Sequence, residues 1–472
     1  MKQALRTGLL ISTIIASPAM AADDAVLAQL KAMQAQISKL QGEVGSLKKE
    51  LAVAKKRSVN EPSEGAKAQT LSTTAITAPQ TAASTGNAAG SQSNSDVRVT
   101  LNPGPKFETA DGQNSLKIGG FAQIDAGFFN DDRRDNPDGT NVRRARLSVS
   151  GTMAKDFRYK LENDFANNVS ALTDVYLEYT GFKNVVLTAG QFKEPFGLET
   201  LTSDLFTSFM ERAAPFAFAP DRNIGFMVSV NDKSQIGAWT ASLGGFGSGT
   251  GIASTDDESR DLTGRLTLAP IAEKTEVLHF GVAGSRRVPD SATDTVRIQS
   301  RPETRLASAQ TVDTGNITGV DHSDLLGLEA AAVWGPASLQ GEYMNASLDR
   351  QSGLRNPSFD GYYVEASWFL TGESRNYVAA QGKFDRVKPA SPFSLAEGTW
   401  GAWQLAARYS GLDLNDGPVR GGEVKDVTLG VRWYPQANLS FLANYIHVDT
   451  DAAATSPGDD PDIYMLRTQF DF

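Results

Sequence analysis

Residues 464–472, YMLRTQFDF, alternate without interruption: Tyr464, Leu466, Thr468, Phe470 and Phe472 fall on one face, and Met465, Arg467, Gln469 and Asp471 on the other. A period of two is the side-chain repeat of a β-strand, whose successive residues point to opposite sides. The pattern recurs upstream. In LKIGGFAQIDAGF, residues 116–128, Leu116, Ile118, Ala122, Ile124, Ala126 and Phe128 share a face, while Lys117, Gln123 and Asp125 take the other. Ala145, Leu147 and Val149 oppose Arg144, Arg146 and Ser148; Phe157, Tyr159 and Leu161 oppose Arg158, Lys160 and Glu162; Val175, Leu177 and Tyr179 oppose Asp174, Tyr176 and Glu178.

Alternating runs of about 10 residues separated by turns are the signature of a membrane-spanning β-barrel. A soluble sandwich also alternates. The two differ at the outer face, which in a membrane stays apolar along every strand because lipid satisfies no polar group. The final run, ending on Phe472, resembles the closing strand of bacterial outer-membrane proteins, whose terminal aromatic residue helps direct insertion. The reading is all-β: a transmembrane antiparallel β-barrel over residues 111–472. Both termini in the periplasm require an even strand count. About seventeen runs qualify, and the weakest is NYVAAQGKFDRVK, residues 376–388. Reading 371–398 as one long periplasmic-side turn leaves about 16 strands and turns Lys383, Arg386 and Lys388 inward. Trp239, Trp334, Trp368, Trp400, Trp403 and Trp433 then fall in the periplasmic half, as one interfacial belt.

The N-terminal region differs in kind. Lys2 and Arg6, the apolar run 9–16 and the small-residue site Ala19-Met20-Ala21 make residues 1–22 a secretory signal peptide. No later stretch reaches the roughly 18 apolar residues of a membrane helix. In residues 23–57, Val26, Met33, Leu40 and Leu47 alternate with Leu30, Ile37, Val44 and Leu51 at a coiled-coil heptad spacing. An amphipathic helix packed on its own barrel is the other reading of this seam. Residues 58–110 are rich in Ala, Ser, Thr, Gln and Gly, the composition of a flexible linker. The chain has no cysteine, so it forms no disulfide. With 45 Lys and Arg against 55 Asp and Glu, and Lys2 and Arg6 lost with the signal, the mature chain is acidic, which argues against nucleic acid as a partner.

Residues 190–225 form the longest excursion from alternation. It leaves a strand at 185–191, turns at Pro195-Phe196-Gly197 and rejoins a strand at 224–230. Phe192, Phe196, Phe206, Phe209, Phe216 and Phe218 need a packed surface, so the stretch is not compositionally disordered. It is expected to fold into the lumen and narrow it; a loop covering the extracellular mouth is the alternative.

GQFKEPFGLE, SFMERA, RNIG, WFLTGESR, GKFDRVKP, GAWQLAARYSGLDL, LGVRWYPQANLSFLANYIHVD and the closing RTQFDF occur in one order that resembles the phosphate-selective porin O and P family over about residues 110–472. The resemblance implies a homotrimer of sixteen-stranded outer-membrane barrels without cofactor or metal, narrowed by inward-folded loops. It also implies an anion path of arginines leading to a cluster of Lys and Arg. Several weak cationic sites in series suit conduction better than one strong site, and the arginine fork donates two hydrogen bonds to phosphate. The anion-path candidates are Arg144, Arg146, Lys193, Arg212, Arg222, Arg265, Lys383 and Arg386, with Arg158, Lys160, Arg408 and Arg432 also inward. Each has a second reading as half of a lumenal ion pair with an acid such as Asp125, Asp164, Asp174, Glu178 or Glu329. Glu194, Glu199, Asp204, Glu211 and Asp221 in the excursion depart from a purely phosphate-selective expectation and fit a general diffusion porin.

An envelope tether working through the heptad seam is a separate hypothesis. An enzyme is not supported, since His279, His322 and His447 stand in separate segments without metal-ligand spacing. If the seam joins protomers, Ile37→Asp should lower the melting temperature of the periplasmic segment by circular dichroism while the barrels stay associated; complete monomerisation of the barrels would place the oligomer contact elsewhere.

Overall fold

The computed structural model describes residues 97–101, 103–247, 259–290, 293–307, 310–451 and 458–472. The signal peptide, the heptad seam and most of the linker stretch lie outside them. Within them, the wall runs β1 (Ser115–Asn130), β2 (Gly139–Met153), β3 (Phe157–Asp164), β4 (Ala171–Phe182), β5 (Val185–Lys193), β6 (Arg222–Ser234), β7 (Gly237–Gly247) and β8 (Arg260–Ala272). It continues through β9 (Glu276–Val288), β10 (Val320–Trp334), β11 (Ala337–Arg350), β12 (Ser358–Phe369), β13 (Ala402–Asp416), β14 (Val419–Gln436), β15 (Leu439–Thr450) and β16 (Asp462–Asp471). Each strand pairs antiparallel with the next. β16 closes on β1, with Asp462 opposite Asn130 and Asp471 opposite Phe121.

The fold is thus a closed sixteen-stranded antiparallel barrel, an arrangement without free sheet edges. Most short turns and the two ends of the wall share one rim, with the long connection 370–401 as the exception there. Most of the longer connections occupy the other, apart from the two-residue turn 417–418, the asymmetry of an outer-membrane barrel. Trp334 and Trp368 stand at the short-turn rim, and the rings of Trp403 and Trp433 stack there at 5.6 Å. The rejected candidate is no wall strand: its pieces Asn376–Val378 and Lys383–Asp385 pair only with each other. Two short strands, Val97–Thr100 and Lys106–Thr109, lie within the stretch read as linker, and the second adds to β1 at Lys117. At four residues each, neither is long enough to rise above its polar surroundings as a periodic signal.

Burial sorts by alternation. Leu147, Leu161, Leu243, Leu266, Leu429 and Leu466 are exposed on the outer face, while Gln123, Thr263, Ser410, Thr428 and Arg467 are buried on the inner one. The interior is not uniformly polar. Met344, Phe359, Leu412, Ile446 and Ile463 project inward from β11, β12, β13, β15 and β16, and pack against Phe196 and Phe218 of segment 194–221 and Ile298, Val312 and Ile317 of segment 289–319. A third segment, 370–401, comes from the short-turn rim and packs Phe384 against Leu198, Val277, Ala331 and Val333.

The excursion is shorter than its sequence suggested. β5 persists to Lys193 and β6 begins at Arg222, which pair with each other, so Phe192, Lys193 and Arg222 belong to the wall. Gly190 hides this. Its φ of +127° offsets the side-chain alternation without ending the pairing, and a Cβ there would lie 2.2 Å from the Val175 carbonyl oxygen.

The outer-face assignment is testable at mid-wall. Leu266→Arg should cost about 2–4 kcal/mol in lipid-vesicle unfolding, the penalty for a cation at the bilayer midplane. A neutral result would mean that this face does not meet lipid.

Candidate functional site

The site grows from the way segment 194–221 is held. Gly197, at φ +74°, turns the chain into a single helical turn, Leu198–Leu201. The Leu198 and Glu199 N–H groups donate to the Glu342 carboxylate of β11, each at 2.8 Å. From β14, Arg432 donates to the carbonyls of Leu205 at 2.7 Å and Thr207 at 2.6 Å. From β16, Arg467 donates to the Met210 carbonyl at 2.5 Å. Arginine suits this work because one planar fork satisfies several backbone acceptors at once.

The acids of the segment face the wall. Glu194 accepts from Arg287 at 3.1 Å and Asn223 at 2.6 Å. Glu199 lies 3.3 Å from Arg408. Asp204 is a hub, 2.7 Å from Arg212, 3.3 Å from Arg144 and 3.7 Å from Arg146. Glu211 meets Arg143 at 2.7 Å and Arg467 at 2.8 Å. Burial alone would raise the pKa of Asp204, but Arg144 and Arg212 outweigh it and hold the carboxyl well below the usual range. Glu211 is likewise held low against burial, by Arg143 and Arg144. Burial wins at Glu199, whose pKa rises to about 8 despite Arg408. Asp221 alone of the five stands open, its side chain 76% exposed.

Two chambers flank the segment. The upper, of about 450 Å³, is lined by Arg143, Arg144, Arg146, Arg212, Arg222, Arg301 and Arg305, with Asp204, Glu211, Asp221 and Glu303 among them. The lower, of about 650 Å³, is lined by Lys106, Lys117, Arg158, Lys160, Lys193, Arg265 and Lys383, and Glu178 is the one acid among its described lining residues. Thr200 lines the upper chamber and Lys193 the lower, and the Lys193 Nζ donates to the Thr200 carbonyl at 2.6 Å, so this contact ties the linings of the two together.

The sequence candidates divide accordingly. Arg144, Arg146, Arg212 and Arg222 come together in the upper chamber, and Lys193, Arg265 and Lys383 in the lower, beside Arg158 and Lys160. Arg386 joins neither chamber. It donates to Asp471 at 2.9 Å and to the Ala437 carbonyl at 2.5 Å, and lies 4.9 Å over the Phe206 ring, bracing segment 370–401 against β16. Arg408 and Arg432 hold segment 194–221 instead of lining a chamber. The ion-pair reading also has structural counterparts: Arg146 with Asp164 at 2.9 Å, Arg158 with Glu178 at 3.0 Å, Lys160 with Asp174 at 2.6 Å and Arg265 with Glu329 at 2.5 Å. Among the described residues, Lys117, Lys193 and Lys383 have no carboxylate within the 4.0 Å of an ion pair.

Several contributors were not among the candidates. Lys117 and Arg467 were legible as inward residues of alternating runs. Arg143 was not, because a β-bulge opposite Gln123 and Ile124 adds one residue to β2 and turns Arg143 to the inside. Arg301 and Arg305 lie in an irregular loop without alternation. His279 is buried between Glu329, at 3.0 Å, and the Tyr377 hydroxyl, at 2.7 Å, and no group of three or more potential metal ligands occurs among the described residues.

The family described as phosphate-selective porin O and P matches residues 116–472. Porin O of Pseudomonas aeruginosa is 30% identical over 415 residues, covering 80% of this chain and 93% of its own. An uncharacterized protein of Caulobacter vibrioides is 31% identical over 396 residues, covering 80% of this chain and 77% of its own. Among solved structures, OmpT of Vibrio cholerae matches with a TM-score of 0.48 at 12% identity, over 76% of this chain and 98% of that one. A closed sixteen-stranded barrel with the family's pattern across most of its length leads to one assignment: the chain belongs to the phosphate-selective porin O and P family.

Proposed function

We propose that this outer-membrane porin conducts small anions, phosphate among them, through the two chambers. One observation carries the reading: of the seven basic side chains that line the lower chamber, Lys117, Lys193 and Lys383 have no carboxylate within ion-pair distance among the described residues, and Glu178 is the one lining acid. A cleft lined by one sign of charge with low-dielectric walls concentrates the counter-ion. Of the acids that suggested an unselective pore, Glu194, Asp204 and Glu211 are paired with Arg287, Arg144, Arg143 and Arg467, and burial favours the neutral form of Glu199. Segment 194–221 acts as the constriction, fixed to the inner wall. A homotrimer is the assembly that the family reading supplies. Asp221, open to the upper chamber, favours the second reading of a general diffusion porin with weak selectivity.

Planar-bilayer recording tests the proposal. Reversal potentials in a salt gradient should show an anion preference; a cation preference would overturn the reading. Burial pulls the pKa of the Lys383 ammonium below the usual lysine value of 10.5. The residue therefore loses its charge at a lower pH than an exposed lysine, and the anion preference should begin to fall before the ordinary lysine range is reached. Lys383→Arg, which keeps its charge, should flatten that decline; an identical pH profile would remove Lys383 from the path.

Replacing residues 197–218 by a short Gly-Ser linker should raise conductance several-fold, because a sixteen-stranded barrel without a plug leaves an aqueous channel. Preference for phosphate over chloride should fall in the same traces. Unchanged conductance would place the narrowing elsewhere.

A further inference from the structure

A porin lumen is expected to be polar, and where this wall turns apolar side chains inward on β11–β16, inserted segments cover them. Met344 and Ile446 are fully buried, and Phe359 and Leu412 are 1% exposed. The lower chamber breaks this rule. Tyr176 of β4, Val186 of β5, Met227 of β6 and Leu201 of the constriction all line it, and all four are only half-buried. Tyr176, Val186 and Met227 sit on the consecutive strands β4, β5 and β6, and Lys160 of β3, paired with Asp174, and Lys383 line the same space. Tyr176 is held in place from behind by an edge-on contact with Phe192 at 6.1 Å.

An uncovered apolar patch costs free energy in contact with water and usually marks a binding surface. A chamber of about 650 Å³ combining such a patch with a few cations lies within the size range of small-molecule sites. A fully hydrated inorganic anion makes no use of the patch. We propose that the lower chamber is a subsite for organic anions: molecules with one anionic head, received by Lys383, which has no carboxylate within ion-pair distance among the described residues, and a compact apolar body that lies against Tyr176, Val186, Met227 and Leu201. This rests on the anion-channel reading and specifies its substrate class.

The test compares phenyl phosphate with methyl phosphate as blockers of single-channel chloride current through the full-length protein, well above their second pKa of about 6, so that both are dianions. The expected result is a half-blocking concentration several-fold lower for phenyl phosphate. Met227→Gln and the near-isosteric Val186→Thr should each shrink that ratio towards one while methyl phosphate block stays within about twofold. Equal block by the two esters in the unaltered channel would overturn the proposal, as would a ratio that both variants leave intact. A channel that neither ester blocks and that prefers cations would overturn the anion reading itself; block by both esters alike would leave that reading standing and remove only the organic subsite.

Discussion

A barrel wall in lipid has little freedom in where it places polar side chains. Every second residue must be apolar outward, so the polar and charged residues of sixteen strands collect inside. That constraint makes the lumen an excess of hydrogen-bonding groups in a confined space, and the inserted segments are the response. Arg408, Arg432 and Arg467 would be costly to bury against an apolar partner. They are matched instead by carbonyls and carboxylates of segments 194–221 and 289–319, including Glu303, which accepts from Arg408, Ser410 and Thr428.

Such pairs differ in kind from surface salt bridges. An exposed pair is worth about 0–1 kcal/mol, whereas removing one partner of a buried pair costs about 3–5 kcal/mol, because the other is left charged and unsolvated. Arg467 and Asp125 are each 1% exposed at the side chain, as is Arg408. The net gain from each pair over an apolar substitute is small, yet the penalty for misplacing any of them is large. The result is a segment held against the inner wall in one permitted geometry.

The same logic explains what was legible in the sequence. Alternation reports which side of the wall a residue faces, so the barrel and the inward positions of Arg144, Arg146 and Arg265 could be read directly, while the strand number also needed the parity of a closed wall to remove one surplus run. It does not report what stands opposite. Arg386, expected on an inward-folded turn, is taken up by Asp471, and that pairing depends on how a periplasmic-side segment folds. The bulge that turns Arg143 inward and the Gly190 conformation that carries β5 to Lys193 are one-residue departures that break the signal where the site lies. Segment 289–319 left only scattered apolar residues, Ile298, Leu306, Val312 and Ile317, whose meaning depends on the inward apolar faces of β11–β16.

The seam between β16 and β1 joins residues more than three hundred positions apart, and the polar contacts across it lie on the lumen side. Arg467 reaches Asp125 across 342 positions, and Gln123 donates to Gln469 across 346. At the rim, the Phe472 N–H donates to the Gly120 carbonyl at 3.0 Å. Closing so long a loop is entropically expensive and slow. Arg467 also holds the Met210 carbonyl and Glu211, so the side chain that latches the seam is one that docks the constriction. One guanidinium thus belongs at once to the closed cylinder and to its filling: a barrel around an empty bore would leave that latch only half engaged.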